Sequence, residues 1–468
     1  MLSKRTQFLL RWVAAVAVTG CLASPVSTVG AERAPLGREI PAYRAPSRPG
    51  PPEPSRSTQA EPEGELRLED ALALALLHNP RLAGTSWDVR MAEARTLQAR
   101  LFPNPEIEVE VEGAPGSSRI GDFKADETTV RLSQLLELGG KRPARTRLAA
   151  MEEELANWNY ETERLAVLTN TRLDFIDVLT AQERLRLAED LVALSEQMSE
   201  AVGARVRAGK VSPLEASKAD VELAKSRLEL ERARARLEAA RMRLAGAWAS
   251  ASPRFLRASG SLSDLREIPS FDVVQADAQH NPEIARWGRE MKQRRAALSL
   301  EKAKRVPNAV LSAGARRFEY GDYDALTFEA GFEIPLFDRN QGGIREAQYR
   351  LAKAAYEKKD VELRATVALA EAYEELTTAR LEALGLRREV VPAADHALRA
   401  AREGYQWGKF DYMVVLDAQR TFFQANAELV DALSRYHRYT AIVEGLLGTG
   451  LDSLNGIQRE REGNDNGQ

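Results

Sequence analysis

His78-Asn79-Pro80-Arg81-Leu82 returns as His280-Asn281-Pro282-Glu283-Ile284, 202 positions further along the chain. Pro103-Asn104 returns as Pro307-Asn308 at an offset of 204, Gly139-Gly140 as Gly342-Gly343 at 203, and Gly209-Lys210 as Gly408-Lys409 at 199. Four anchors in one order at nearly one offset make this a tandem duplication with a period of about 200 residues, far longer than a solenoid repeat. The unit is a large supersecondary block used twice.

Each copy opens with amphipathic helix. Leu68, Ala71, Leu72, Ala75 and Leu76 share one face at i, i+3, i+4 spacing, and Asn79-Pro80 punctuates them. A second helix is predicted from Pro80 to Arg100, stopping at Pro103-Asn104-Pro105. Two strands follow, over 106–112 and 127–136. In the first, Ile107, Val109 and Val111 alternate with Glu106, Glu108, Glu110 and Glu112, a period of two. The second copy repeats the pattern over 308–318 and 325–336. Such a hairpin could pack its apolar face on an ordinary core. It could equally be membrane β-barrel wall, with apolar residues outward and glutamates toward a wet lumen. Four strands are too few to close a membrane barrel, and an open edge cannot sit in lipid, so the barrel reading requires an oligomer.

Both strand pairs lead into long helical hairpins, predicted over 143–249 and 343–447. From Pro143 to about Val202 no proline or glycine interrupts, and 60 residues of helix span about 90 Å. Gly209-Lys210-Val211-Ser212-Pro213 and Gly408-Lys409-Phe410-Asp411 reverse the chain. On the first return helix Leu223, Leu230, Leu237 and Leu244 recur every seven residues, with Ser226, Ala233, Ala240 and Ala247 three further on. Pro392 is expected to kink the second descending helix near its far end.

The flanks are simpler. Residues 1–20 read as a signal peptide, with Lys4, Arg5 and Arg11 ahead of a short apolar run. Val18-Thr19-Gly20-Cys21 resembles a lipobox, which would lipidate Cys21; cleavage after Ala31 is the alternative. Cys21 is the sole cysteine, so no internal disulfide forms. Residues 21–64 are a Pro-rich linker, 65–255 the first repeat, 256–270 a linker, 271–448 the second repeat, and 449–468 a disordered tail. Past the signal no run of 18 uncharged apolar residues occurs, so no transmembrane helix is predicted. A net charge of -3 and a pI near 6.1 give no electrostatic case for nucleic acid. His78, His280, His396 and His437 are scattered, and no HExxH, CxxC or GxxxxGK[ST] string is present. The expectation is a protein with no catalytic, cofactor or metal site, and not an enzyme; helix-end packing explains His78 and His280 better than ligation.

Helix, strand pair and long helical hairpin, all repeated, resemble the TolC-type outer-membrane efflux channels. Leu68-Glu69-Asp70-Ala71-Leu72 with His78-Asn79-Pro80 resembles that family's opening motif. Leu135 to Arg142 (LLELGGKR) and Ile334 to Gly343 (IPLFDRNQGG) resemble its strand-to-helix junctions, and are most like the CzcC-like branch associated with heavy-metal efflux. The resemblance implies a mainly α fold with a membrane β-barrel: a homotrimer whose 12-stranded barrel continues as an α-helical periplasmic tunnel. It implies an outer-membrane location, outer-membrane lipid around the barrel, and a passive duct for substrates, heavy-metal cations in this branch. It further implies as partners a periplasmic adaptor and an inner-membrane resistance-nodulation-division pump. The adaptor would dock at the hairpin tips, mapped to Arg207, Gly209, Val211, Ser212, Tyr405, Gly408, Lys409 and Phe410. Helix C-capping accounts for both glycines by itself. Pro392 is the candidate gate hinge. The rivals are a periplasmic adaptor and a structural coiled-coil protein of the envelope.

Overall fold

The computed structural model describes residues 36–48, 62–112, 127–278, 281–318 and 322–455. These described residues belong to one unit. The signal region with Cys21, the loop around residues 113–121 and His280 lie outside the described residues. In chain order the elements are β1 (Gly64–Arg67), α1 (Leu68–His78), α2 (Pro80–Arg100), β2 (Glu106–Glu112), β3 (Glu127–Leu136), α3 (Lys141–Arg207) and α4 (Pro213–Gly246). There follow β4 (Phe255–Ser259), α5 (Phe271–Asp277), α6 (Pro282–Lys304), β5 (Ala309–Phe318), β6 (Tyr323–Phe332) and α7 (Gln341–Gly385). A π-helical turn (Leu386–Val390), α8 (Val391–Gln406) and α9 (Tyr412–Leu447) complete the chain.

The duplicated Asn-Pro pair works the same way twice. Asn79 and Asn281 each accept hydrogen bonds from the next helix's first two amides, and Pro80 and Pro282 occupy the first turn, where no N–H is missed. Each asparagine also donates outward, Asn79 to the carbonyl of Ala247 at 2.9 Å and Asn281 to that of Leu446 at 2.6 Å. The repeat anchor therefore pins the end of each return helix to the start of α2 or α6. His78 ends α1 with its Nε2 buried and without a hydrogen-bond partner.

The 67 residues of α3 span about 100 Å and form the spine. At one end the packing order is α2–α3–α6–α7; toward the hairpin turns it is α4–α3–α9 followed by α7 and α8. Small residues let the helices lie close. Ala219, Ser226, Ala233 and Ala240 on α4, and Ala181, Ala188, Ser195 and Val202 on α3, are buried at seven-residue spacing. The expected leucine positions Leu223, Leu230 and Leu237 are only half-buried. The small residues make the close contact and the leucines flank it. Ser195 Oγ lies 2.9 Å from Ser226 Oγ and accepts from Gln419 at 3.0 Å, so α3, α4 and α9 share one buried polar layer.

Three parts of the chain are more ordered than their composition suggests. Within the Pro-rich stretch, residues 36–48 dock on the helices. The Tyr43 amide donates to the Leu76 carbonyl, Tyr160 Oη donates to the Tyr43 carbonyl, and Ala45 is fully buried beside Ser86. The predicted 256–270 linker begins in a strand: β4 pairs in parallel with β1, and Phe255, Ala258 and Leu262 are buried. At the other end Leu451 and Leu454, placed in the expected disordered tail, pack against Val274, Leu376 and Leu447. These segments bind through backbone hydrogen bonds and single apolar anchors, which leave no periodic trace. Bounds also shift slightly, since β6 ends at Phe332 before Pro335, and the long helices start at Lys141 and Gln341.

The 260s segment is held by His437, whose Nε2 lies 2.9 Å from the Leu262 carbonyl. Burial keeps this imidazole below its ordinary value of 6.5. A folded value below the unfolded one means stability is full above pH 6.5 and is lost as pH falls toward the folded value. The melting temperature should therefore drop on acidification through this window. His437→Gln should flatten that limb in thermal melts recorded across pH.

Candidate functional site

Two regions carry the functional geometry: the four-stranded sheet and the paired hairpin tips. The sheet runs β2-β3-β5-β6, antiparallel throughout, so the strands of the two repeats join through β3 and β5. Its register places Val109 opposite Val130, Val130 opposite Ala315 and Ala315 opposite Leu326. Through its middle rungs one face is accordingly apolar across all four strands and open to the surroundings, with Ile107 75%, Leu326 74% and Phe328 80% exposed, while Thr128, Arg317 and Asp324 stand on the same face at the loop end. The opposite face carries the β2 glutamates. Arg131 bridges Glu108, Glu110 and Glu329, and Arg316 bridges Glu127 at 3.1 Å. Neither outer strand, β2 or β6, has a second partner among the described residues.

The turns that leave the sheet for the long helices are braced. Arg145 reaches Glu137 and the carbonyls of Ala99 and Leu101, and Lys141 donates to Asn308 at 2.6 Å. The Arg145 guanidinium holds the Glu137 carboxyl below its usual range. Gly139 has φ +69°, and a Cβ there would lie 2.4 Å from Val306 Cβ. Gly139→Val should cost about 2–4 kcal/mol from left-handed strain and overpacking together. Thermal unfolding of the purified variant checks this.

At the far end both hairpins turn alike. Gly209 and Gly408 take φ +68° and +74°. Lys210 N–H bonds Arg205 O at 2.9 Å and Lys409 N–H bonds Gly404 O at 2.8 Å, the Schellman pattern. The return helices are then capped by different residues doing one job. Ser212 Oγ accepts from Leu214 N and Asp411 Oδ1 accepts from Val414 N. Gly209, Gly408, Ser212 and Asp411 thus shape the turns.

The two tips touch. Arg205 donates to the Tyr405 carbonyl at 2.7 Å, and its guanidinium stands 4.5 Å over the Tyr405 ring. Arg420 of α9 holds Glu222 of α4 through two bonds at 2.8 and 3.4 Å, Lys218 Nζ meets Met413 Sδ at 3.6 Å, and Arg402 reaches Gln197. Between them lies one apolar core drawn from α3, α4, α8 and α9, containing Met198, Val202, Leu398, Tyr405, Tyr412 and Val415. Burial and the neighbouring Glu222 push the Tyr412 hydroxyl up to about 12.

Among the predicted contact residues, Arg207, Gly209, Ser212, Gly408, Lys409 and Phe410 are exposed and Val211 is half-buried. Tyr405 is only 3% exposed, wedged between Arg205 and the Tyr412 ring, so it supports the tip from inside and offers no surface. Phe410 folds back so closely on Gly404 that a Cβ there would lie 2.2 Å from its ring. Sequence reasoning passed over Arg205, Glu222 and Arg420, and over Trp407, which is 79% exposed. The repeat offset of 199 held one signal: Gly404 stands where the first copy has Arg205. At Pro392 the helix is disturbed but not ended. The helix continues through Leu386–Val390 as a π turn with all residues right-handed, and Pro392 sits in the first turn of α8, about 24 Å from the tip. Widening the turn by one residue accommodates the missing N–H.

Among the described residues no helix is long and apolar enough to cross a membrane, and no three His, Cys, Asp or Glu side chains group as metal ligands. Residues 71–250 and 273–449 match the family model described as outer membrane efflux protein, one match per repeat. The chain is 34% identical over 388 residues to the cobalt-zinc-cadmium resistance protein CzcC of Cupriavidus metallidurans, covering 83% of this chain and 91% of CzcC. It is 30% identical to the nickel and cobalt resistance protein CnrC of the same organism, over 69% of this chain and 76% of CnrC. The crystal structure of CusC superimposes with a TM-score of 0.72 at 18% identity, covering 88% of this chain and 99% of that one, a likeness of fold. On both repeats, the chain belongs to the outer membrane efflux protein family, a family of channels and not of enzymes.

Proposed function

We propose that three copies of this chain form the passive outer-membrane duct of a heavy-metal efflux system, driven by an inner-membrane pump through a periplasmic adaptor. The observation that carries the duct is the sheet: four strands, two open edges and an exposed apolar face. In lipid every backbone polar group needs a partner, so such a sheet must close with others. Three copies give twelve strands, within the range of membrane barrels. The acidic face then lines the lumen.

The helical layer supports the same assembly. Both of its edges expose apolar residues at seven-residue spacing: Leu214, Val221 and Leu228 on α4, and Tyr349, Tyr356 and Leu363 on α7. These are unfilled coiled-coil seams, suited to a neighbouring copy. At the tips, Arg207, Lys409, Phe410 and the exposed Trp407 present the adaptor-docking surface, while Tyr405 and Arg205 latch the hairpins. The π turn with Pro392 is the hinge about which α8 and α9 swing when the adaptor docks. Cys21 anchors the chain by lipidation, which metabolic palmitate labelling of wild type against Cys21→Ser tests.

Similarity to CzcC and CnrC supports divalent metal cations as cargo. Deleting the gene should sensitise cells to cobalt, zinc, cadmium or nickel while leaving tolerance of dyes and antibiotics unchanged. Sensitivity to organic compounds alone would overturn the metal reading and leave the duct standing.

A further inference from the structure

The four crossings between sheet and helices all leave the same end of the sheet. They lie over residues 101–105, 137–140, 305–308 and 333–340, and sideways contacts hold them level. Lys141 meets Asn308, Arg145 meets Leu101, Gly139 packs on Val306, and Asn340 donates to the carbonyl and carboxylate of Glu301.

This level has two properties at once. It carries a belt of exposed apolar side chains, with Phe102 at 71%, Ile334 at 68%, Leu336 at 65% and Phe337 at 89%. It is also strongly basic. Residues 98–105, 137–147, 301–308 and 333–345 hold ten basic against four acidic side chains, a surplus of six in a chain of net charge -3. The carboxylates do not absorb that surplus. Glu137 is taken by Arg145 and Glu301 by Lys304 and Asn340. Arg100, Arg142, Lys302, Arg305 and Arg339 form no ion pair among the described residues. Two are held at the belt itself. The Arg142 guanidinium lies 3.7 Å over the exposed Phe102 ring, and Arg339 donates to the Pro335 carbonyl beside Leu336 and Phe337.

An apolar belt immediately bordered by free guanidinium groups matches a bilayer surface, aromatic side chains at the acyl boundary and arginine forks at phosphate level. A protein partner would leave the exposed apolar sheet above the belt unexplained; a lipid surface covers both. We propose that this collar binds anionic phospholipid headgroups of the bilayer leaflet on the helical side, selecting phosphatidylglycerol-type over zwitterionic lipid. The proposal rests on the outer-membrane reading above.

The test reconstitutes the full chain in vesicles of equal phosphatidylethanolamine and phosphatidylglycerol, followed by native mass spectrometry of retained lipid. Basic side chains near an anionic surface raise partitioning several-fold each, so wild type should retain phosphatidylglycerol over phosphatidylethanolamine by about ten-fold. The preference should fall to near unity in a variant carrying R100Q, R142Q, R305Q and R339Q. Raised salt on wild type should erode it in the same direction, since exposed charges are screened. That titration decides alone should the variant not fold. No preference in wild type, or a preference that survives both the variant and salt, overturns the proposal while inserted protein keeps the membrane reading intact. Failure to insert into either lipid would remove the membrane reading itself.

Discussion

Joining the two hairpin tips should abolish metal export. Lys218 of α4 and Met413 of α9 face each other with Nζ and Sδ 3.6 Å apart, so cysteines at both positions bridged by a short thiol cross-linker tie hairpin to hairpin. Opening as an iris requires α8 and α9 to move against α3 and α4, and one covalent bridge per copy forbids it. Metal tolerance of cross-linked cells should drop to that of the deletion strain and recover when a cleavable linker is reduced. Each single-cysteine variant should behave as wild type. The reverse perturbation should leak. Arg205→Ala with Arg420→Ala removes the guanidinium at the Tyr405 carbonyl and the bidentate hold on Glu222. Discounted for the solvent around Arg420, the two links together favour the latched arrangement by about 1–2 kcal/mol per copy. In each copy the latch equilibrium should shift about ten-fold toward open, read as raised open probability in single-channel recordings in planar bilayers.

Placing charge on the apolar face of the sheet should prevent assembly in the membrane. Phe328 and Val130 lie on that face, on β6 and β3, each opposite an alanine of β5. An arginine on the lipid side of a barrel wall costs about 2–4 kcal/mol at mid-bilayer, and a trimer of the double variant Phe328→Arg, Val130→Arg would carry six. No outer-membrane trimer should be recoverable, and metal tolerance should match the deletion strain. Thr327→Lys, on the opposite face beside Glu329, should be tolerated. If the double variant assembled normally, the apolar face would not be the lipid face.

The fold was largely legible because its dominant elements are long and periodic. Sixty uninterrupted residues after Pro143 force a helix beyond globular size, and strict Glu/apolar alternation over 106–112 leaves a strand as the one fit. What escaped is short or non-local. β1 has four residues and pairs with β4 some 190 positions later, so neither shows a period of its own. Residues 36–48 dock through backbone groups and one buried alanine, among prolines that read as linker. At the tips, the family resemblance placed Tyr405 among the docking residues, whereas its burial is imposed by Tyr412 and by Arg205 from the other repeat. Contacts between repeats are invisible to a reading made within each. Pro392 announced a disturbance, but not that a π turn would absorb it.

The number of chains in the membrane-extracted particle bears most directly on the duct. Native mass spectrometry of the protein taken from isolated outer membranes in mild detergent should give three copies, since four strands per chain close as twelve. A monomer or dimer in that extract, or recovery of the protein in the soluble periplasmic fraction, would contradict the account.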